Sequence, residues 1–375
     1  MSKKVLITAT VQSHICQFHK PLVKMLHENG YEVHAAARDN LAEKNGLKLD
    51  FADKVYNVPF SRSPVSKNNI KAYKVIKEII AENDYDIIHC NTPMGGVVTR
   101  LAAKKQRKNG IKVIYTAHGF HFYKGAPLKN WLFYYPVEWL FSWFTDCIIT
   151  INTEDYNRAK KHLHAKNSAY IHGVGVSKER YNTLPLNEDF KNNLGYADDD
   201  FIVLCTGELN KNKNQSELIR AIAKLNNPQI KAIFAGNGPE AENLKALANE
   251  LNVSDRVNFV GYRTDLEKFV KISDIVVSMS LREGLPVNII EAMMCKKALI
   301  TSDNRGHRDL VVNEKGGFLV GAHDSGALAE KIEYLNKNKT IRQEFGEFNL
   351  DKAKLFECSR VKEELYNIYK RYVIK

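Results

Sequence analysis

The sequence predicts an α/β protein built from two doubly wound lobes, and three observations support this fold class. Short β-branched or apolar runs alternate with amphipathic stretches along nearly the whole chain, which is typical of βαβ units around a parallel sheet. The 375 residues are too many for one ordinary core. The alternation is interrupted by a polar stretch at 177–200, which contains a proline and ends in three aspartates. We therefore expect an N-terminal lobe over 1–183, a C-terminal lobe over 184–355, and a helix within 356–375 that either caps the second lobe or crosses back to the first.

The candidate strands fall into two groups, one on each side of this interruption. The first group lies at 4–10, 31–37, 54–59, 86–90, 112–117, 147–151 and 169–173, and the second at 201–207, 231–238, 256–262, 274–280, 297–303 and 316–321. Helix-like stretches with apolar residues at three- and four-residue spacing lie between them, for example at 18–30, 69–83 and 95–110. Ligands of open parallel sheets bind outside the carboxyl ends of the strands, so two such lobes predict a binding cleft where they face each other.

Composition excludes several classes of protein. Hydrophobic residues make up 44% of the chain and charged residues 26%, a balance that supports packed cores and argues against wholesale disorder or a polytopic membrane protein. The six cysteines form no CxxC pair and no zinc-like cluster with histidine, so we expect mostly reduced, interior residues. The first fifteen residues hold only a short apolar run, which favours a first strand over a signal peptide and predicts a cytoplasmic protein.

The positive charge is concentrated in the first lobe. Residues 1–183 hold 27 Lys and Arg against 15 Asp and Glu, whereas residues 184–355 hold 23 against 25. Such asymmetry suggests that the first lobe faces nucleic acid, an anionic membrane surface or a phosphorylated substrate. The sequence lacks a zinc finger, an Arg/Gly-rich tail and an RNP-like motif, so a basic nucleic-acid-binding protein is only a minor alternative and no nucleic-acid partner is expected.

An aromatic segment at 131–144 contains all three tryptophans and eight aromatic residues, with Glu138 as its one charged residue. Fourteen residues are too few to cross a bilayer as a helix, which takes about 20. Two interpretations stay open. The segment either lies in a membrane interface, where Trp and Tyr are favoured beside cationic residues, or forms a helix packed between elements of the lobe.

The strongest chemical signal lies at 280–303. A candidate strand leads into a loop with Glu283, and Pro286 suits the first turn of a helix that extends to about residue 295. The amino terminus of that helix would present N–H groups and a positive dipole end to a diphosphate. Glu283 precedes the helix and Glu291 lies inside it, so one carboxylate can serve a sugar while the other accepts hydrogen bonds from the paired hydroxyls of a ribose.

This segment resembles the E-x7-E element of retaining glycosyltransferases of family 4, which have the two-lobed GT-B fold and use a nucleotide-activated sugar. The likeness extends over most of the chain. The stretches TATVQSHICQFHKPL, TAHGFHF and TGELNKNKN are most similar to bacterial capsular, exopolysaccharide and related cell-surface glycan enzymes. The resemblance implies that Glu291 binds the ribose, that Glu283 and the backbone of Gly284 and Leu285 hold the donor sugar, and that His118, at a strand end, contacts that sugar and aligns the reaction.

In TGELNKNKN the family pattern has an Arg directly after the Gly and a Lys six residues after it, both directed at the diphosphate. Lys213 matches the second position, and the resemblance therefore assigns it to the diphosphate. Glu208 replaces the Arg, so another cation, Lys211 or Arg282, is expected to supply the missing contact.

Further candidate residues rest on shorter matches. The turn AGNGPE, with Asn237, and the segment GYRTD, with Tyr262 and Arg263, correspond to donor-binding segments of the family. In the first lobe His14, His19 and His121 are candidate acceptor contacts. The string DYD at 84–86 mimics a metal-binding DxD, but it leads into a strand and is better explained as a turn, so we expect no metal site.

From these residues we expect a retaining, metal-independent transferase that moves a sugar from a UDP-sugar to a polyprenyl-diphosphate-linked glycan, in capsule or exopolysaccharide synthesis. We expect it at the inner face of the cell membrane, with an anionic surface contacted by the first lobe and no cofactor beyond the donor. The alternative within enzymes is a GT-B sugar-nucleotide epimerase, which needs acid and base carboxylates at other positions and no acceptor.

Overall fold

The chain divides into two compact units in the computed structural model, which describes residues 3–43, 46–182 and 188–372. Unit 1 comprises Met1–Gly175 with Cys358–Lys375, and unit 2 comprises Val176–Glu357. The division thus falls several residues before the predicted boundary at 183/184, which lies outside the described residues. The C-terminal helix belongs to unit 1.

The strands all belong to two parallel sheets. They are β1 (Lys3–Val11), β2 (Tyr31–Arg38), β3 (Lys54–Asn57), β4 (Ile87–Asn91), β5 (Lys112–Ala117), β6 (Cys147–Thr150), β7 (Asn167–Tyr170), β8 (Phe201–Thr206), β9 (Ile230–Ala235), β10 (Val257–Gly261), β11 (Ile275–Ser278), β12 (Ala298–Ser302) and β13 (Gly317–Val320).

The helices connect these strands. They are α1 (Gln12–Phe18), α2 (Lys20–Glu28), α3 (Asn68–Glu82), α4 (Pro93–Lys108), α5 (Leu128–Ser142), α6 (Thr153–His162), α7 (Glu179–Asn182), α8 (Glu188–Asn193), α9 (Ser216–Lys224), α10 (Ala241–Glu250), α11 (Leu266–Ile272), α12 (Val287–Met294), α13 (Arg305–Leu310), α14 (Ser325–Lys337), α15 (Lys339–Ala353) and α16 (Cys358–Lys370). The helix-like stretch predicted at 18–30 forms α2, which begins after His19 with Pro21 in its first turn. The short helix α1, which precedes it, was not predicted.

The strand order places a topological switch point in each sheet. The order is β3-β2-β1-β4-β5-β6-β7 in unit 1 and β10-β9-β8-β11-β12-β13 in unit 2. Chain direction across the sheet therefore reverses between β1 and β4 and again between β8 and β11, and ligands of such sheets bind at the carboxyl ends of these pairs. The central strands are buried on both faces, which explains their continuous apolar sequences.

Polar contacts fasten α16 to unit 1. The Tyr369 hydroxyl lies 2.5 Å from Nδ1 of the buried His89 on β4. Glu364 accepts a hydrogen bond of 2.9 Å from the backbone N–H of His172 and lies 2.7 Å from that residue's Nδ1. The end of the chain therefore stabilises the sheet formed by the beginning of the chain.

The aromatic segment forms α5, which has one packed side and one exposed side. On one side Trp131 and Tyr135 pack around the buried Phe122 at ring-centroid distances of 5.7 and 5.3 Å. On the other side Leu132 and Phe133 are 65% and 72% exposed. No helix among the described residues is long and apolar enough to cross a bilayer. The segment is thus a surface helix with an unusually apolar outer face.

Candidate functional site

In unit 2 the loops that follow β8 and β11 are bound to each other. The backbone N–H of Leu281 donates to the Asn212 carbonyl at 2.7 Å, and the Asn212 amide donates to the Arg282 carbonyl at 3.0 Å. These bonds join the two strands at the switch point, so they place the predicted diphosphate ligand Lys213 beside the predicted sugar ligand Glu283.

Lys213 and Glu283 form a partly buried ion pair. The Lys213 Nζ lies 2.7 Å from the Glu283 Oε1, and their side chains are 22% and 14% exposed. Burial alone would raise the pKa of Glu283, but the Lys213 ammonium, through its charge and its hydrogen bond, holds that pKa below the ordinary glutamate value. Glu283 is therefore a carboxylate at neutral pH, next to a cation that is held in place.

The loop that carries Glu283 is held by residues after β12. The Asn304 amide and the Ser302 hydroxyl both donate to the Ser280 carbonyl, at 2.8 and 2.5 Å. Gly306 lies so close that a Cβ placed there would be 2.9 Å from the Glu283 Cβ, which explains the glycine. The sequence places Asn304 and Gly306 in a loop at a strand end but does not predict these supporting contacts. An Asn before a helix is a common capping signal, and Asn304 does cap α13.

Helix α12 begins one residue later than predicted, because Pro286 has extended backbone angles and is the N-cap. In the first turn the Asn288 amide donates to the carbonyl and hydroxyl oxygens of Thr206, at 3.1 and 3.2 Å. Thr206 ends β8, so this contact directs the amino terminus of α12 to the strand end where Lys213 lies. The sequence did not predict it. A helix end in this position attracts an anion.

Glu291 lies inside α12, two turns from Glu283 along the chain. Burial raises the pKa of its carboxyl above the ordinary value, although the nearby Tyr181 hydroxyl and the Arg180 guanidinium oppose the rise. A partly desolvated carboxyl of this kind gains more from hydrogen-bond donors than one in bulk water, which suits a partner with two adjacent hydroxyl groups.

The loops after β9 and β10 lie on the other side of the β8 loop. A Cβ on Gly236 would be 1.9 Å from the Gly207 carbonyl oxygen, so the two loops touch through their backbones. Asn237 is exposed and its Oδ1 lies near Gly261. Tyr262, the next residue, is 56% exposed. Three of the predicted donor-binding segments therefore meet at neighbouring strand ends.

Two charged residues in these loops, Arg263 and Glu208, form hydrogen bonds through their side chains. The Arg263 guanidinium donates two hydrogen bonds of 2.9 Å to Asp265, so its backbone rather than its side chain is available to a nucleotide base. Glu208 is exposed and accepts a hydrogen bond from the Asn210 amide at 3.0 Å. Of the two candidates for the missing cation, Arg282 is half-buried and its carbonyl is bound to the Lys213 loop, whereas Lys211 is exposed. Both stay candidates.

In unit 1 the structure brings together three of the predicted histidines. His14 follows β1, His118 follows β5, and their Nε2 atoms are 3.2 Å apart. His19 is 4% exposed, its ring centroid lies 5.7 Å from that of His118, and its buried Nε2 has no hydrogen-bond partner. One ring nitrogen from each of the three lies within 4.8 Å of the others, which is a donor set of the kind that zinc accepts.

Enclosure keeps these histidines neutral. Burial lowers the pKa of His118 to about 4. Burial first, and then the neighbouring His118 and Arg62, lower the pKa of His14 well below the ordinary value. At neutral pH His118 is therefore suited to donate or accept a hydrogen bond rather than to carry a positive charge.

The fourth predicted histidine, His121, lies apart from this cluster. Its ring stacks on Tyr134 of α5 at 4.5 Å, and its carbonyl accepts a hydrogen bond from the Asn130 amide at 2.9 Å. His121 and His14 both line a cavity of about 830 Å³ within unit 1. Two of the three candidate acceptor residues thus line one cavity, whereas His19 does not.

The sequence did not predict a buried ion pair in which one partner, Glu138, lines this cavity. Arg100 of α4 is fully buried and donates to Glu138 of α5 at 2.9 Å, and the Tyr115 hydroxyl donates to the same carboxylate at 3.0 Å. The sequence signal was the single acid in an aromatic helix, which indicates a buried partner but does not identify it.

The fold and the donor-side loops define a class, the GT-B glycosyltransferases, and comparison with known proteins agrees. Residues 187–351 match the model of glycosyl transferases group 1, and residues 4–152 match the glycosyl transferase 4-like model. The chain is 41% identical to EpsD of Bacillus subtilis (strain 168), described as a glycosyltransferase, over 100% of this chain and 98% of that protein.

Two further likenesses bear on the family and the fold. An Escherichia coli protein named UDP-Gal:alpha-D-GlcNAc-diphosphoundecaprenol alpha-1,3-galactosyltransferase is 29% identical over 73% of this chain and 71% of its own. The structure of Anabaena HepE in complex with UDP and glucose superposes with a TM-score of 0.82 at 20% identity, covering 98% of this chain and 100% of HepE. The chain therefore belongs to the family 4-like glycosyltransferases and has the GT-B fold, as the sequence predicts.

Proposed function

We propose that this chain is a retaining glycosyltransferase that moves a sugar from a UDP-sugar to a polyprenyl-diphosphate-linked glycan during capsule or exopolysaccharide synthesis. The observation that carries the proposal is the Lys213–Glu283 ion pair at the switch point of unit 2, beside the amino terminus of α12. It combines a cation for a diphosphate with a carboxylate for sugar hydroxyls.

The donor chemistry follows from these charges. Departure of UDP leaves an oxocarbenium-like sugar and a diphosphate with additional negative charge. Lys213, the α12 dipole and backbone N–H groups stabilise that charge without a metal ion, while Glu291 holds the ribose. We take retention to proceed by attack on the face that the diphosphate leaves, as the family resemblance implies. A leaving-group oxygen then takes the proton of the acceptor hydroxyl, so no protein base is needed.

The donor and the acceptor class are supported by the relatives. The name of the E. coli relative specifies a UDP-sugar donor, a diphosphoundecaprenol acceptor and an α-1,3 product. An α product from an α-linked UDP-sugar corresponds to retention. We assign the donor to unit 2, which contains the Lys213–Glu283 pair, and the acceptor to unit 1, which contains the cavity lined by His14 and His121.

We further propose that unit 1 binds the anionic inner face of the cell membrane. Its excess of basic residues lies in the same unit as the exposed apolar face of α5. At the end of α4 the Lys104 ammonium lies 4.6 Å from the ring of Phe144, just after α5. Apolar residues flanked by cations favour an interface with anionic lipid.

The test is transfer with purified protein. UDP-sugars are screened with undecaprenyl-diphosphate-linked acceptors, and the anomeric configuration of the product is determined by NMR. We expect an α product, full activity in EDTA, and loss of transfer in Lys213→Ala and in His118→Gln, with the latter still binding UDP.

An inverted product would overturn the retaining mechanism. Conversion of UDP-N-acetylglucosamine to another sugar nucleotide without any acceptor would instead identify the epimerase.

A further inference from the structure

The cavity in unit 1 has one strongly apolar wall. Met94 and Val97 of α4, the stacked rings of Phe120 and Phe122, and Phe133 of α5 form this wall. The volume of about 830 Å³ lies within the range of about 300–1,000 Å³ that is usual for small-molecule sites. An apolar ligand, or the apolar part of a larger one, is therefore the chemistry that the wall accepts.

The opposite wall is polar and lies at the carboxyl ends of β1 and β4. It contains His14, Ser13, Thr10 and Thr92. Thr92 has a φ of +63°, a left-handed conformation that a β-branched residue rarely adopts, and its hydroxyl lies 2.7 Å from that of Thr10. Such strain is typical of ligand-binding positions, since the surrounding structure must impose it.

The charge of the cavity favours an anion. Arg62 and Lys129 line it and are exposed, and neither forms an ion pair with a residue of the described chain. The acid in the lining, Glu138, is neutralised by the buried Arg100. The ligand that matches both walls is thus an amphiphile with an anionic head and an apolar chain.

The exposed lining residues show where such a chain leaves. Phe133, Tyr134 and Val137 belong to the cavity wall and also to the outer face of α5. That face continues through Leu132 and Leu140, which are 65% and 49% exposed. A chain that extends out of the cavity would therefore pass directly onto the surface proposed to contact lipid.

We infer that this cavity binds the isoprene units next to the diphosphate of the polyprenyl-linked acceptor, with the diphosphate near Arg62 and the polar wall. The inference rests on the proposed function and adds to it a recognition site for the lipid. It also gives a role to the apolar wall of a cavity that lies at the switch point of unit 1.

The experiment is calorimetric titration of the full chain with farnesyl diphosphate and with inorganic diphosphate. We expect farnesyl diphosphate to bind at least tenfold more tightly. Val97→Trp, which fills the cavity, should remove that gain and leave diphosphate binding unchanged. Leu101→Trp is the matched control, because Leu101 lies one turn further on α4, is 42% exposed and does not line the cavity.

Equal affinity for the two probes in the unsubstituted chain would overturn the inference, as would equal effects of Val97→Trp and Leu101→Trp. Met94→Trp repeats the test if Val97→Trp does not fold. Failure of the proposed function would give a different result, namely no sugar transfer to any lipid-linked acceptor. The titration with farnesyl diphosphate would still show whether the cavity binds an isoprenoid.

Discussion

The Lys213 Nζ lies 2.7 Å from the Glu283 Oε1, although 70 residues separate the two along the chain. The pair exists because β8 and β11 are neighbours in the sheet, and because Asn212 and Leu281 join the loops that follow them. A lysine held in this way needs little reorganisation to neutralise a diphosphate, which is the basis of electrostatic preorganisation.

Removal of the Lys213 ammonium should slow transfer much more than it changes the fold. We expect Lys213→Ala to lower kcat/KM by about 100-fold or more, the usual effect of removing one group that stabilises a developing charge. Steady-state kinetics measure the loss, and circular dichroism checks the fold. Lys245→Ala, at an exposed ion pair on α10, is the control and should retain normal turnover. Comparable kinetics in the two variants would remove Lys213 from the mechanism.

The two acids of the donor site should have opposite effects on stability. Because burial raises the pKa of Glu291 in the folded chain, its ionisation opposes folding, so Glu291→Gln should raise the free energy of unfolding at pH 7. Below about pH 4 the Glu291 carboxyl is largely protonated in both the folded and the unfolded chain. The gain in the free energy of unfolding should therefore vanish there. Glu283→Gln should instead lower the free energy of unfolding at pH 7, because folding lowers the pKa of the Glu283 carboxyl and its ionised form therefore stabilises the folded chain.

Urea unfolding at several pH values measures both effects, and UDP titration should show weaker binding for Glu291→Gln by about tenfold or more. A loss of stability in Glu291→Gln at pH 7, or a gain that persists unchanged at pH 4, would contradict the assignment of a desolvated carboxyl.

The effects of replacing Arg100 and Glu138 on stability should be strongly coupled, because the two side chains form a buried ion pair. Arg100→Met or Glu138→Gln alone leaves one partner buried without its counterpart and should cost about 3–5 kcal/mol in the free energy of unfolding. The double variant should cost less than the sum of the single changes. Denaturant titrations of the four proteins measure the coupling. Additive effects would show that the two side chains do not stabilise each other.

Binding to membranes should depend on the exposed face of α5. Leu132→Ser with Phe133→Ser should weaken binding to vesicles rich in anionic lipid by about tenfold or more, since each side chain would bury apolar area worth about 1.5 kcal/mol or more. Trp143 of the same segment is a poorer target, because its ring stacks on His164 and contributes to packing.

The matched control for the membrane test is Ile70→Ser, on α3 of the same unit, where the side chain is 62% exposed. Vesicle sedimentation at several salt concentrations gives the affinities. Equal binding to neutral and anionic vesicles, or an equal effect of Ile70→Ser, would argue against the proposed surface.

Much of the fold could be predicted because strands such as β5, over 112–117, are buried on both faces and therefore appear as continuous apolar runs. That Glu283, Lys213 and His118 lie just after strands could be predicted, because each follows a candidate strand of the sequence. Their roles were assigned by the family resemblance and stay predictions. By contrast, the anchoring of the Glu283 loop by Asn304, and the pairing of Arg100 with Glu138, depend on which strands and helices become neighbours. That order is set by tertiary packing, and local sequence does not contain it.

The most direct test of the central claim is a crystal structure of the full chain with UDP. We predict that the diphosphate lies at the amino terminus of α12 within hydrogen-bond distance of the Lys213 ammonium, with the ribose hydroxyls on Glu291. A UDP bound to unit 2 with its diphosphate away from Lys213 and its ribose away from Glu291 would contradict the account.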